Sequence, residues 1–227
     1  MKASAEGLRR GEEARRRLVQ AAVRIFGESG YHAVGTRDLA EAAGTNQAAI
    51  PYYFGGKEGL HKAAAQDVAD VGHAAFGPLL DRVKAAAPES LDRPALVDLV
   101  TATFRGLTHG LVGPLNEGYR AAFVMHEQLR PGPAFDLLYE GYIRPVHEAI
   151  TTVTAAAQGR AAGTTRSVME AHALFGTALA FLVARHTLCR RLGWDDYNPR
   201  RLRDIEDTVV SVALRTLGLT NASEVQS

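Results

Sequence analysis

The sequence predicts an all-α protein, with a three-helix N-terminal unit followed by a larger helical one, and three observations carry that reading. Composition is alanine-rich with 46% hydrophobic and only 7% aromatic residues, which favours helix over sheet. The β-branched residues fall at helical spacing; Val19, Ala22, Val23 and Phe26 stand at i, i+3, i+4 and i+7. Gly and Pro punctuate the chain at intervals that suit helices. The 227 residues are enough for one large or two modest domains, and no internal repeat is present.

In chain order, residues 1–10 are polar and read as a solvated tail carrying Arg9 and Arg10, with order expected from about residue 12. A first helix is predicted from Glu12 to Ser29, stopped by Gly30, with Tyr31 packing over the small domain. The stretch T-R-D-L-A-E-A-A-G-T-N-Q-A-A-I-P-Y-Y-F-G-G-K, residues 36–57, then fits two short helices. Thr36 can cap the first, with Asp38 at the positive end of its dipole. Leu39, Ala40 and Ala43 share a face, Gly44 can turn left-handed, and Ile50 points back at them. That is a helix-turn-helix, whose second helix would lie in a DNA major groove. The same spacing is also met by two packed helices with no partner.

Asn46 is placed as the cap of the second helix, which puts Gln47, Ala48 and Ala49 in its first turn. Gln47 is the residue there with a side chain able to make paired hydrogen bonds to adenine. Pro51 removes one helical hydrogen bond, so a bend is expected. From Lys57 a helix should run to about Ala87, weakened at Gly59, Gly72 and Gly77-Pro78. Asp92 and Pro94 open a helix ending near Val112, before Gly113-Pro114. Further helices are predicted from Asn116 to Leu129, from Ala134 to Gln158 with a kink at Pro145, from Thr165 to Leu192, and from Pro199 to Leu217 before a polar tail. The domain boundary is set at 62/63.

Whole-chain charge is +1 and argues for no particular partner, but the split is uneven. Residues 1–62 hold 10 Lys/Arg against 7 Asp/Glu, or +3, and residues 63–227 hold 16 against 18, or −2. The single cysteine, Cys189, excludes an internal disulfide and reads as packing. No apolar run resembles a signal peptide or reaches the ~20 residues of a membrane span, so a cytoplasmic protein with no membrane partner is expected. None of the eight histidines sits three or four residues from another, and no metal, nucleophile-elbow or phosphate-loop motif occurs. Neither cofactor nor enzyme activity is expected.

From Arg16 to Leu60, the segments R-L-V-Q-A-A-V-R-I-F-G-E-S-G-Y, T-R-D-L-A-E-A-A-G and A-A-I-P-Y-Y-F-G-G-K-E-G-L occur in order and resemble the DNA-binding domain of TetR-family transcriptional regulators. The resemblance implies a DNA-contacting set of Thr36, Arg37, Thr45, Asn46, Gln47, Ala48, Tyr52, Tyr53 and Lys57. Tyr52, Tyr53 and Lys57 would touch phosphates, Thr36 and Arg37 the backbone or groove, and Phe54 is assigned to the core. The segment P-A-F-D-L-L-Y-E-G-Y-I-R-P-V-H-E-A-I is similar to the subgroup associated with cephalosporin and chloramphenicol sensitivity, implying control of efflux or envelope genes.

The family resemblance further implies a homodimeric repressor, released from a palindromic operator by a small apolar or amphipathic ligand. Phe104, His109, Tyr119, Phe123, Met125, His126, Tyr139 and Tyr142 are the residues of the middle helices suited to line a ligand cavity, although core residues have the same spacing. The apolar surface of the long penultimate helix is wider than one core stripe. Phe175, Leu179, Leu182 and Val183, with Val209 and Val212 of the last helix, are therefore placed at a dimer interface. The alternative is a ligand-binding or enzymatic bundle whose helix-turn-helix is only structural.

Overall fold

The computed structural model describes residues 2–113 and 118–220. It contains α1 (Lys2–Ser29), α2 (Thr36–Ala42), α3 (Ala49–Phe54), α4 (Lys57–Ala86), α5 (Arg93–Val112), α6 (Gly118–Leu129), α7 (Phe135–Leu138), α8 (Arg144–Ala157), α9 (Thr165–Val183), α10 (Arg185–Leu192) and α11 (Pro199–Thr216). A 3-10 turn occupies Pro88–Ser90 and a π turn Tyr139–Ile143, and no strand occurs among the described residues. The predicted Pro114 break, the helix start at Asn116 and the end of the polar tail lie outside the described residues.

Several helices begin where their caps dictate. The Asp92 carboxylate accepts from the Ala95 N–H at 2.9 Å, with Pro94 in the first turn of α5. Asn198 Oδ1 accepts from the Arg200 and Arg201 N–H groups ahead of α11. Other boundaries differ from the sequence reading. Helix α1 reaches back to Lys2, through the segment expected to be a solvated tail. Helix α4 runs unbroken through Gly77-Pro78, although Pro78 cannot donate to the Ala74 carbonyl.

The single helix predicted over 134–158 is three pieces, because the π turn immediately before α8 takes up the irregularity that Pro145 imposes. The helix predicted over 165–192 is likewise divided, with α9 and α10 inclined by 66°. Tyr197 stabilises that bend: its hydroxyl donates at 2.8 Å to the Phe181 carbonyl, which a straight helix would have given to the Arg185 N–H. Arg185 pairs with Asp196, and its guanidinium lies 4.6 Å from the centre of the Tyr197 ring. No single helix among the described residues is long and apolar enough to cross a membrane.

Packing divides the described residues into two compact units that do not follow the 62/63 boundary. The first joins 2–73 with 118–143. Its core holds Leu18, Ala22, Val23 and Phe26 of α1, Leu39 and Ala40 of α2, Ile50 of α3, Leu60, Ala64 and Ala65 of α4, and Phe123 of α6. Helix α6 is admitted by Gly27, where a Cβ would stand 2.1 Å from the Tyr119 carbonyl oxygen. The second unit joins 74–113 with 144–220; Val100, Phe104, Leu107, Ile150, Val153, Ala178, Val209 and Ala213 are all buried there.

Candidate nucleic-acid interface

The helix-turn-helix is built as its sequence pattern requires. Leu39 and Ile50 are both 0% exposed, Ala40 is small enough to let the second helix approach, and Gly44 turns the chain at φ 58°. The turn is closed by the Thr45 N–H, which donates to the Ala40 carbonyl at 2.9 Å, and by the Thr45 hydroxyl at 3.4 Å to the same oxygen. Thr45 is thus engaged within the turn.

The N-terminal capping of both helices differs from the sequence reading. Gly35, not Thr36, is the cap of α2, and the Asp38 carboxylate accepts the Gly35 N–H at 2.9 Å. With that donor satisfied by Asp38, the Thr36 hydroxyl accepts instead from the Gln47 carboxamide, Nε2 to Oγ1 at 2.8 Å. Two residues eleven positions apart, each assigned to DNA contact on separate grounds, are thereby joined at one exposed point.

Asn46 does not cap α3, whose cap is Ala48 with no side-chain cap bond. Its Oδ1 accepts the Ala48 N–H at 2.9 Å in the tight turn that precedes the helix, where the Ala49 N–H donates to the Asn46 carbonyl, so Gln47 and Ala48 stand ahead of the first helical turn. The same tight turn disposes of the difficulty at Pro51. The Gln47 carbonyl that Pro51 cannot serve accepts from the Ile50 N–H at 3.2 Å, so α3 continues to Phe54 and no hydrogen bond is lost. Pro51 stands in the first turn of the helix, where a missing N–H costs little. Gly55, at φ 73°, ends α3.

Arg37, Asn46, Gln47 and Ala48 are exposed, and Tyr52 is 80% exposed, an unusual position for a tyrosine. Tyr53 is half-buried, its ring 4.8 Å from that of Tyr52 and its hydroxyl beside Gly11 of α1. Lys57 holds its ammonium 4.3 Å from the centre of the Tyr31 ring, at the start of α4. Phe54 packs against the core, with the Arg15 guanidinium 5.3 Å from its ring centre.

Beneath this surface lies a buried polar pair that the sequence did not announce. His61 is 1% exposed, in ring contact with Phe26, Tyr31 and Phe123, and its Nε2 is 3.4 Å from Glu127 Oε1. The other Glu127 oxygen accepts from the Gly132 N–H at 3.0 Å, and His61 Nδ1 has no hydrogen-bond partner among the described residues. Desolvation is the first cause lowering His61 to about 4, with Lys57 next, and it also pushes the Glu127 carboxyl above its ordinary range.

The residues suited to a ligand cavity fall in both units. Phe104 is fully buried in the second, and His109, on the same helix, pairs with Glu206 at 3.0 Å. Tyr119, Phe123, Met125, His126, Tyr139 and Tyr142 belong to the first. There Phe123 is 1% exposed, Tyr139 stacks on Phe135, and burial raises the Tyr142 hydroxyl pKa. Of the residues assigned to a dimer interface, Val209 is 1% exposed in its own core and Val183 is 59% exposed, while Phe175, Leu179, Leu182 and Val212 are half-buried. Phe175 packs on the His147 ring, itself stacked on His172; burial, then the His172 charge, lowers His147. Spacing along the chain could not bring those two histidines together.

Two short helices that bury Leu39, Ala40 and Ile50 while leaving Arg37, Gln47 and Tyr52 exposed form a helix-turn-helix within a fold that is helical throughout the described residues. Residues 18–64 match the bacterial regulatory proteins of the tetR family, and residues 96–219 match the C-terminal domain of the HTH-type transcriptional dual regulator CecR. Over 202 residues the chain is 37% identical to the dual regulator CecR of Shigella flexneri, covering 88% of this chain and 89% of that one. Over 54 residues it is 46% identical to the regulatory protein RaaS of Mycobacterium tuberculosis, covering 24% and 25%. Among solved structures, the multidrug binding protein EbrR complexed with imidazole has a TM-score of 0.52 at 18% identity, covering 92% of this chain and 95% of that one. The TetR-family regulator PfmR of Thermus thermophilus has a TM-score of 0.50 at 19% identity, covering 88% and 97%; both show a shared fold. The chain belongs to the TetR family of DNA-binding transcriptional regulators, and within it to the group of the dual regulator CecR.

Proposed function

We propose that this protein is a homodimeric repressor that holds a palindromic operator through α2 and α3 and is released by a small apolar or amphipathic ligand. The observation that carries the DNA half is the exposed Gln47, held by the half-buried Thr36, together with the exposed Tyr52 on the otherwise well-packed helix-turn-helix. Gln47 reads a base edge, Tyr52, Tyr53 and Lys57 position the phosphates, and Arg37 reaches the backbone from α2.

The outward face of α9 supports dimerisation. Val168, Met169, Ala173, Gly176, Ala180 and Val183 are exposed there in a largely unbroken apolar stripe. Leu179 and Leu182 flank it, and a two-fold partner would cover the set.

Thr103 supports an effector site in the second unit. Its hydroxyl is buried beside Phe104 and lacks a hydrogen-bond partner among the described residues, so a ligand with one acceptor and an apolar body would satisfy it. Efflux or envelope genes are the regulated set that the subgroup suggests. The relative in Shigella flexneri is named a dual regulator, so a reporter for this protein must be able to register activation as well as repression.

The experiment is fluorescence anisotropy with DNA from beside the protein's own gene and with scrambled DNA, with sedimentation run in parallel. Equal affinity for the two DNAs would remove operator recognition, and a monomer at micromolar concentration would remove the dimer. DNA and effector must weaken each other by the same factor; an effector bound equally well with and without operator would remove the release mechanism.

A further inference from the structure

Gln47 is aimed by its neighbours rather than by the helix it precedes. It stands in the turn ahead of α3, and its backbone is held on either side: Asn46 Oδ1 accepts the Ala48 N–H, and the Gln47 carbonyl accepts from the Ile50 N–H. The side chain is exposed, long and flexible, a freedom that ordinarily blurs base recognition. One contact removes that freedom at the tip, where Nε2 donates to the Thr36 hydroxyl at 2.8 Å. Thr36 is well suited to hold it. It is half-buried at the first residue of α2, and its β-branched side chain has few rotamers. The cap of that helix is Gly35, so the Thr36 hydroxyl is not spent on the helix terminus.

The tether changes what the carboxamide can offer. A free carboxamide has one acceptor oxygen and two N–H donors. With one donor engaged by Thr36, Gln47 keeps one donor and one acceptor. That pair matches adenine, which presents N7 as an acceptor and its N6 amino group as a donor in the major groove. Guanine presents two acceptors, N7 and O6, and a free carboxamide could serve both with its two N–H groups. The tethered one cannot. Resting on the reading of Gln47 as a base-reading residue, we infer that Thr36 is a positioning residue that determines specificity, holding Gln47 for adenine and against guanine. A hydrogen bond of this kind biases an orientation by a factor of about 2 to 10, so Gln47 makes the choice of base and Thr36 sharpens it. The reverse orientation, with the Thr36 hydroxyl donating to Oε1, would leave two N–H groups and favour guanine, so the base selected distinguishes the two.

The test is selection from a randomised DNA library by the full-length protein, followed by sequencing. Gln47→Ala, run beside the wild type, identifies the base position that Gln47 governs, because preference there disappears while the other positions keep theirs. At that position the wild type should favour adenine over guanine by roughly 5- to 100-fold. Thr36→Val keeps the side-chain shape and removes the hydroxyl; it should lower the adenine-to-guanine ratio there by about 2- to 10-fold and leave the other positions as they are. Thr36→Ser should restore the ratio. Any base other than adenine at the Gln47 position, an unchanged ratio in Thr36→Val, or a loss spread evenly over all positions overturns the proposal. A wild type that enriches no sequence, or a profile that Gln47→Ala leaves unaltered, removes the reading of Gln47 as a base reader and the tether with it. Matching circular dichroism spectra of the Thr36 variants exclude unfolding as the cause.

Discussion

Glu127→Gln decides whether the buried pair beneath the helix-turn-helix is an ion pair or an uncharged contact. The two residues are 3% and 1% exposed, and with His61 lowered to about 4 the imidazole is neutral near neutral pH. Lys57 and His32 oppose its protonation while Glu58 favours it; His126 and His32 favour ionisation of Glu127, but burial outweighs them. Between pH 6.5 and about 4 the unfolded chain takes up a proton on His61 that the folded chain refuses. Stability therefore falls as pH drops through that window, by at most about 3 kcal/mol. Glu127 works in the opposite direction. Its folded carboxyl is raised above the ordinary 4.5, so above that value the unfolded chain releases the proton more readily and stability falls as pH rises.

Glutamine keeps the volume and an acceptor for the Gly132 N–H but removes the titration. Near neutral pH the variant should equal or exceed the wild type by up to about 1 kcal/mol, or about 2 to 4 °C in Tm. Toward pH 4 the gain should vanish, so that the variant loses stability more steeply in acid. A charged pair gives the reverse, because deleting one partner would leave the other buried and alone at a cost of about 3 to 5 kcal/mol. Thermal unfolding followed by circular dichroism across this pH range separates the two. A fall of more than about 6 °C near neutral pH would refute the uncharged reading.

Other consequences can be measured on the same protein. Gln47→Ala should weaken binding to the operator by about 1 to 3 kcal/mol and leave scrambled DNA nearly unaffected, whereas Lys57→Ala should weaken both and lower the salt slope by about 1. Equal losses on both DNAs would take Gln47 out of base readout. Thr36→Val should reproduce part of the Gln47→Ala loss, with Thr36→Ser restoring it; a uniform loss on all DNAs would make Thr36 a backbone contact instead. Ala180→Glu, at an exposed position on α9, should give a folded monomer by sedimentation, and a dimer of wild-type mass would place the interface elsewhere.

Local chemistry made the helix-turn-helix legible. Ala40, Gly44 and Ile50 lie within eleven residues of one another, and the caps at Asp92 and Asn198 act on N–H groups no more than three residues away. Where the determinant was distant, the sequence was silent. The bend between α9 and α10 depends on Tyr197 reaching Phe181, and nothing in the smooth apolar pattern of residues 173–184 forecasts it. Pro51 was misleading in the other direction, because its cost depends on whether the Gln47 carbonyl has another donor, and a tight turn provides Ile50. Buried polar groups such as Thr103 and the pair of His61 with Glu127 are invisible in a pattern that scores only apolar periodicity.

The position of α6 changes what a ligand-responsive reading requires. From its order in the chain, α6 belongs with the helices that would receive an effector, yet it packs in the unit that holds the recognition helix. Phe123 lies 6.4 Å from Phe26 of α1 and 5.1 Å from His61 of α4, ring centre to ring centre, and the Tyr119 backbone meets α1 at Gly27. These contacts are close-packed, so a displacement of α6 cannot be absorbed by empty space and must move α1 or α4. Both of those helices border α3: α1 through Gly11 at Tyr53, and α4 through Gly59, where a Cβ would stand 1.8 Å from the Phe54 carbonyl oxygen. A signal delivered to α6 therefore reaches α3 through side chains of one hydrophobic core. The buried Glu127 on α6 sits at that join, 3.4 Å from His61 of α4.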